Sequence, residues 1–309
     1  MVRKNFIREK KIYCGKNWLE VDIVRVTNLP EAGKSRKKES SLKQQNLNDK
    51  NSKRRFSQIA HANFGDGDYH VSATYKDLYL PDTLEKAEKE IHNYLNRVKR
   101  LMKKIAGIEL KYMLVTEYTP EDDDMAAVAT DVQKTDRLVG DNTNVSDSDT
   151  AEVKADNDDK RTKVVRIHHH IIMNGGLSRD EVELLWSRGR INWKRISDPE
   201  YLRTVDRIGY INCDRLQLNE NGMEALVNYI NKRKKGCRKW SASHNLEKPK
   251  VRKNDHKYSL KKIRELAQFP EDREVWRKQY PGYEPVKIEF EHNEYTGWSI
   301  YLRLRKLRE

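Results

Sequence analysis

Residues Lys163–Met173 read KVVRIHHHIIM and close on Asn174-Gly175-Gly176. The run is the most strand-like in the chain, rich in β-branched and apolar residues and ended by turn formers. Side chains of a strand alternate between its two faces. His168 and His170 therefore leave one face together, while His169 leaves the other with Val165, Ile167, Ile171 and Met173. That second face is the apolar one, so His169 is expected in the core. Two imidazoles on one strand face are costly without a shared ligand, which makes His168 and His170 the candidate metal pair.

Outward from this run the strand pattern recurs. Trp18–Val26 (WLEVDIVRV), Asp68–Lys76 (DYHVSATYK), Lys111–Tyr118 (KYMLVTEY) and Arg207–Asp214 read as strands, and Val286–Phe290 with Ser299–Arg305 reads as a hairpin around Gly297. Helices fall between them. Pro81 and Asp82 open one in which Leu84, Ala87, Ile91, Leu95, Val98 and Leu101 stand near helical spacing. Ser178 with Glu181 forms a capping-box pattern, and Asn221 with Glu224 predicts the start of NGMEALVNYINKRKK. The expected class is α+β: a central antiparallel sheet with helices packed on one face and the histidine site on the other.

Charge organises the 309 residues further. The net charge is +14 and the pI about 9.4. Residues 121–160 hold thirteen acidic and four basic residues, a net of −9, so the rest of the chain carries +23. A body that basic favours a polyanionic partner, of which nucleic acid is the usual one. The acidic segment, residues 119–162, is expected to be a disordered insertion within one domain. Lys34–Arg55 has too little apolar surface to fold by itself, so residues 1–55 are expected to be a basic, partly disordered accessory segment. Residues 249–309 are expected to add accessory helices and a hairpin. No run approaches the roughly 18 apolar residues of a spanning helix, so no membrane is expected. The start, MVRKNFIREKK, lacks the apolar core of a secretion signal. Cys14, Cys213 and Cys237 form no CxxC pair, which points to a reducing compartment. Asn28–Ser35 (NLPEAGKS) ends like a P-loop but lacks its first glycine, so no ATP binding is expected.

A two-histidine site needs a third ligand, and a carboxylate would favour Mg²⁺ or Mn²⁺. Glu117 ends the strand that would pair with the histidine strand across the insertion. On the helix from Asn221, Tyr229 and Lys232 lie about 60° apart beside the core stripe. A phenol next to an ammonium suits a nucleophile. The basic run that follows, with Arg233, Lys234, Lys235, Arg238 and Lys239, suits contact with a DNA backbone. Trp240 is suited either to base stacking or to core packing.

DYHVSATYKD, YMLVTEY, IHHHIIMNGG and YINK, in that order, resemble the HUH endonuclease superfamily, and within it the rolling-circle replication initiators of phages and small plasmids. The resemblance covers about residues 56–248. It implies a ferredoxin-like sheet of about five strands and a divalent metal, Mg²⁺ or Mn²⁺, on His168, His170 and Glu117. It also implies Tyr229 as the nucleophile, Lys232 as its charge partner, and Thr74 and Tyr75 as residues that shape the site or hold the strand. The implied activity is site-specific nicking and joining of single-stranded or hairpin origin DNA through a 5′-phosphotyrosine. Helicase and polymerase would be separate host or phage proteins, and the setting the cytoplasm of a bacterial cell. The chain departs from the family where His169 takes a position usually apolar and where Arg233 replaces a second tyrosine. Two other readings stay open: a non-catalytic basic DNA-binding protein, and a metal-dependent nuclease without a covalent intermediate.

Overall fold

The computed structural model describes residues 5–27, 42–120, 164–230, 240–294 and 296–307. The P-loop-like Asn28–Ser35, the insertion from residue 121 onward, Lys232, Arg233, Lys234, Lys235, Arg238, Lys239 and Cys237 lie outside the described residues.

Strands β1 (Asn5–Cys14) and β2 (Trp18–Thr27) form a hairpin. Its turn needs Gly15, where φ is +69° and a Cβ would stand 3.1 Å from backbone atoms of His61 and Ala62. Helix α1 (Leu42–Asn63) takes up the second part of the polar stretch. That part is helical because Phe56, Ile59 and Ala60 anchor the last turns in a core, and tertiary packing supplies what propensity does not. After β3 (Tyr69–Thr74) comes α2 (Leu84–Ile105), capped by Thr83, whose side chain accepts from the Lys86 N–H. Strands β4 (Tyr112–Pro120) and β5 (Val164–Met173) are antiparallel neighbours. Thr119 and Pro120, assigned to the insertion from sequence, still pair with Arg166 and Val164, because the ladder runs on past Glu117.

Helix α3 (Arg179–Leu184) starts on the expected capping box of Ser178 and Glu181, and α4 (Pro199–Thr204) starts on Asp198. Strand β6 (Ile211–Arg215) leads to α5 (Glu224–Ile230), which begins later than the sequence pattern suggested. Asn221 is drawn away from a capping role: its carbonyl accepts from Arg303, and Gly222 follows at φ +68°. The remaining elements are β7 (Ser241–Ala242), β8 (Lys250–Asn254), α6 (Leu260–Leu266), α7 (Arg273–Gln279) and the hairpin of β9 (Tyr283–Asn293) and β10 (Gly297–Lys306).

The strands form two five-stranded antiparallel sheets. The central one has the order β6-β3-β5-β4-β7, so the histidine strand is its middle member. The second, β8-β1-β2-β10-β9, joins the two ends of the chain. One face of the central sheet packs on α2 and the α3 region through Val71, Ile171, Leu95, Val98 and Trp186. The other carries His168 and His170, and beside them Met113, Val115 and Ile172 pack on α1 and α5. On their far side α1 and α5 meet the second sheet, where Arg54 and Gln58 bond Glu20. The second sheet's remaining face packs on α6 and α7 through Ile263, Leu266 and Trp276. No described helix is long and apolar enough to cross a membrane.

Candidate functional site

Strand register builds the site. Thr74, His168 and Glu117 stand side by side across β3, β5 and β4, and Ser72 stands opposite His170 one pleat away. Paired residues of antiparallel strands share a face. All of these therefore lie on the face away from α2.

His170 is the hub. Its Nε2 is 3.7 Å from Glu117 Oε2, and its Nδ1 is 3.2 Å from Ser72 Oγ and 3.4 Å from His70 Nε2. The His70 and His170 rings stack, with centroids 5.5 Å apart and planes within 11°. Burial lowers the His170 pKa, with His168 acting in the same sense against the opposing pull of Glu117. Burial, then the His170 charge, brings His70 down to about 4. Both rings are thus neutral at pH 7. Nε2 can donate its proton to Glu117, whereas the tautomer with the proton on Nδ1 would free the Nε2 lone pair for a cation shared with Glu117.

Tyr229 reaches the same place from α5. Its ring meets that of His170 edge to face, centroids 5.5 Å apart and planes at 80°, and the residue is 53% exposed. Three separate segments, the strand of Glu117, the strand of the histidines and the helix of Tyr229, thus converge on His170.

His169 points the opposite way and is fully buried. Its Nε2 is 2.8 Å from the Tyr75 hydroxyl and its Nδ1 is 3.0 Å from Thr116 Oγ1. Tyr75 accordingly lies across the sheet from Tyr229, packed edge-on against Trp186, with its hydroxyl pKa raised by burial. It supports the histidine strand from behind and does not face the cluster. Thr74 does lie on the cluster's face, next to His168, and its hydroxyl donates to the Tyr210 carbonyl. Trp240 packs on Phe56 and donates to Ser52 Oγ, which favours the packing reading. Burial pushes the Cys14 and Cys213 thiols up to about 12, so neither is a nucleophile.

Sequence reasoning missed His70 and Ser72. Both sit on DYHVSATYK at the alternation that also places Thr74 on the site face, a signal readable by parity once β3 is taken as the neighbour of β5.

Helix α5 is held in place from the second sheet. Arg303 of β10 is almost fully buried and donates to Glu224 Oε2 at 2.6 Å, to the Asn221 carbonyl at 2.9 Å and to His61 Nε2 at 2.9 Å. Its guanidinium also lies over Trp18, 4.9 Å from the ring centroid. The Met223 N–H donates to His61 Nε2, so the His61 proton sits on Nδ1 and is given to the Ser57 carbonyl at 2.8 Å. Burial, then the Arg303 charge, lowers the His61 pKa to about 4. The Asn221 carbonyl, the Met223 N–H and the Glu224 carboxylate at the start of the tyrosine helix are thereby tied to other elements.

A divalent cation needs oxygen and neutral imidazole donors. Glu117 and His170 present one of each 3.7 Å apart, with His168 on the same face. The donor chemistry fits such an ion, although among the described residues no three His, Cys, Asp or Glu side chains already close on one point. Comparison with protein-family models, curated proteins and solved structures finds no match.

Proposed function

We propose that this protein is a metal-dependent endonuclease and strand transferase of the HUH type. In this reading it nicks single-stranded or hairpin origin DNA to start rolling-circle replication, in the cytoplasm of a bacterial cell. The observation that carries the reading is the edge-to-face contact of Tyr229 with His170, the same imidazole that faces Glu117.

Tyr229 attacks the scissile phosphorus. Its O–H gives its proton to solvent, the Oη–P bond forms and the P–O3′ bond breaks. The departing 3′ oxygen takes a proton from solvent and becomes the primer end, while the 5′ phosphate stays on the enzyme. A Mg²⁺ or Mn²⁺ ion on His168, His170 and Glu117 supplies polarisation of the phosphate when bound. Ser72 and His70 orient the His170 ring, and Thr74 lines the face on which the strand would lie. Lys232 is assigned to offset charge on the phosphorus centre, and Arg233, Lys234, Lys235, Arg238 and Lys239 to hold the backbone. Helicase and polymerase remain separate partners.

Incubation with end-labelled single-stranded DNA and Mn²⁺ tests the reading. A denaturation-resistant protein–DNA adduct is the expected product. Cleavage without an adduct would make the protein a metal nuclease, and binding alone would make it a basic DNA-binding protein.

A further inference from the structure

On the far side of the central sheet from Tyr229, a cleft of about 430 Å³ opens between α2 and residues 185–193. Arg97, Arg100 and Lys104 line it from α2, and Arg190 and Trp193 line it from the opposite wall. No carboxylate is among its described lining residues. Four cations facing one cleft repel one another, and among the described residues Arg100, Lys104 and Arg190 have no ion pair of the kind Arg54 and Arg303 have elsewhere in the fold. Arg97 has Nε and Nη2 buried without a hydrogen bond, its nearest carboxylate being Glu90 at 3.9 Å. These two nitrogens are covered by protein and out of reach from the cleft, so what the cleft lacks is a counter-charge for its accessible cations.

Its walls are fixed. Gly189 turns at φ +78° ahead of Arg190, and the Asn192 side chain caps the short helical turn Trp193–Arg195. Trp193 packs against the main core and remains only partly covered. Arg97 and Lys104, seven residues apart on one helix, are about 10 Å apart along its axis. One phosphate cannot meet cations spread over that length, whereas successive phosphates of a strand can. An indole beside such a row is the platform on which a base stacks.

We infer that this cleft is a second binding site for single-stranded DNA, with backbone phosphates on Arg97, Arg100, Lys104 and Arg190 and a base on Trp193. It lies across the sheet from the tyrosine, so it engages a part of the strand remote from the phosphate being cut. The inference rests on the proposed function only for its choice of polyanion.

The test uses the full chain carrying Tyr229→Phe, in EDTA, with a fluorescein-labelled twelve-nucleotide thymidine strand read by anisotropy. Arg100→Glu with Arg190→Glu, both exposed positions, is expected to weaken binding about tenfold and flatten the salt dependence by about 1.4 in log–log slope. Lys99→Glu with Lys103→Glu makes the same charge change on other faces of α2 and is expected to cost less than threefold. Photocrosslinking with 5-iododeoxyuridine strands is expected to mark Trp193. Equal weakening by the two pairs, no weakening by the first pair, or thymidine monophosphate competing as well as the strand would each overturn the inference. Because the assay reads binding alone, a protein that never nicks can pass it and one that nicks can fail it.

Discussion

Tyr229 and His170 stand edge to face, 5.5 Å between ring centroids, although one is carried by α5 and the other by the middle strand of the central sheet. Removing the hydroxyl alone leaves that ring contact intact. Tyr229→Phe is therefore expected to bind origin DNA with unchanged affinity and to form no covalent adduct, read by denaturing gel with labelled DNA and Mn²⁺. Persistence of the adduct would move the nucleophile to another residue.

His169 and His170 are adjacent, yet the two substitutions are expected to fail differently. His170→Ala removes the imidazole that faces Glu117 and is expected to abolish Mn²⁺-dependent nicking with little change in folding. His169→Ala opens a cavity, leaves the Tyr75 hydroxyl only its longer bond to the Ala87 carbonyl and takes the imidazole from the Thr116 hydroxyl, a loss of about 3 kcal/mol. Urea unfolding and nicking rates, measured on both variants, separate the two. Loss of stability in the His170 variant with nicking intact would invert the assignment.

That contrast shows what alternation makes legible. Period 2 separated His169 from its neighbours because β5 is regular and paired on both sides. Capping chemistry located α3 because Ser178 and Glu181 satisfy each other within four residues. The second sheet was legible only in β2 and the β9–β10 hairpin. Its other members, β1 and β8, are polar, and β8 (KVRKN) is exposed along its whole length, so neither shows an apolar pattern. Their pairing joins Glu9 to Asn254, a separation local patterns do not reach. The misplaced start of α5 has a similar cause, since Asn221 and Glu224 answer to Arg303 and not to each other.

Arg303 couples the second sheet to the tyrosine helix. Arg303→Met keeps much of the packing on Trp18 but takes this donor from the Asn221 carbonyl and leaves Glu224 the Ser57 hydroxyl in place of its charge partner. Breaking a buried pair in this way costs about 3 kcal/mol. Because the lost contacts hold the start of α5, the rate of adduct formation is expected to fall by more than DNA affinity. Stopped-time adduct assays beside anisotropy titrations read the split, and equal losses in both would limit Arg303 to general stability.

His61 makes stability depend on pH. Its folded pKa of about 4 lies below the ordinary histidine value of 6.5. The unfolded chain therefore binds the extra proton first, so this contribution is complete above about pH 6.5 and is lost as pH falls toward 4. By pH 5 the loss amounts to about 2 kcal/mol. Urea midpoints of wild type are expected to fall between pH 7 and pH 5 by more than those of His61→Gln, which cannot take up the proton. Parallel pH profiles would mean that His61 titrates normally in the fold.

Pro120 and Val164 are partners on the β4–β5 ladder, so the acidic segment begins and ends at adjacent points on one sheet edge. A short loop can close that gap, because antiparallel neighbours need only a few residues to connect. Replacing residues 121–163 with a brief Gly/Ser loop is accordingly expected to preserve folding. The segment's charge has a second consequence. Thirteen carboxylates with a net of −9 over residues 121–160 are tethered to a chain that is otherwise strongly basic. A tether raises their effective concentration at that surface to about millimolar, where they compete with DNA phosphates. The shortened protein is expected to bind random single strands more tightly than wild type, most visibly at low salt where charges are least screened. Its rate of nicking on saturating DNA should be unchanged, since Glu117, His170 and Tyr229 all lie outside the replaced stretch. Equal affinities at low salt would rule out competition by the tether. Loss of nicking with folding preserved would mean that the segment itself contributes to the site.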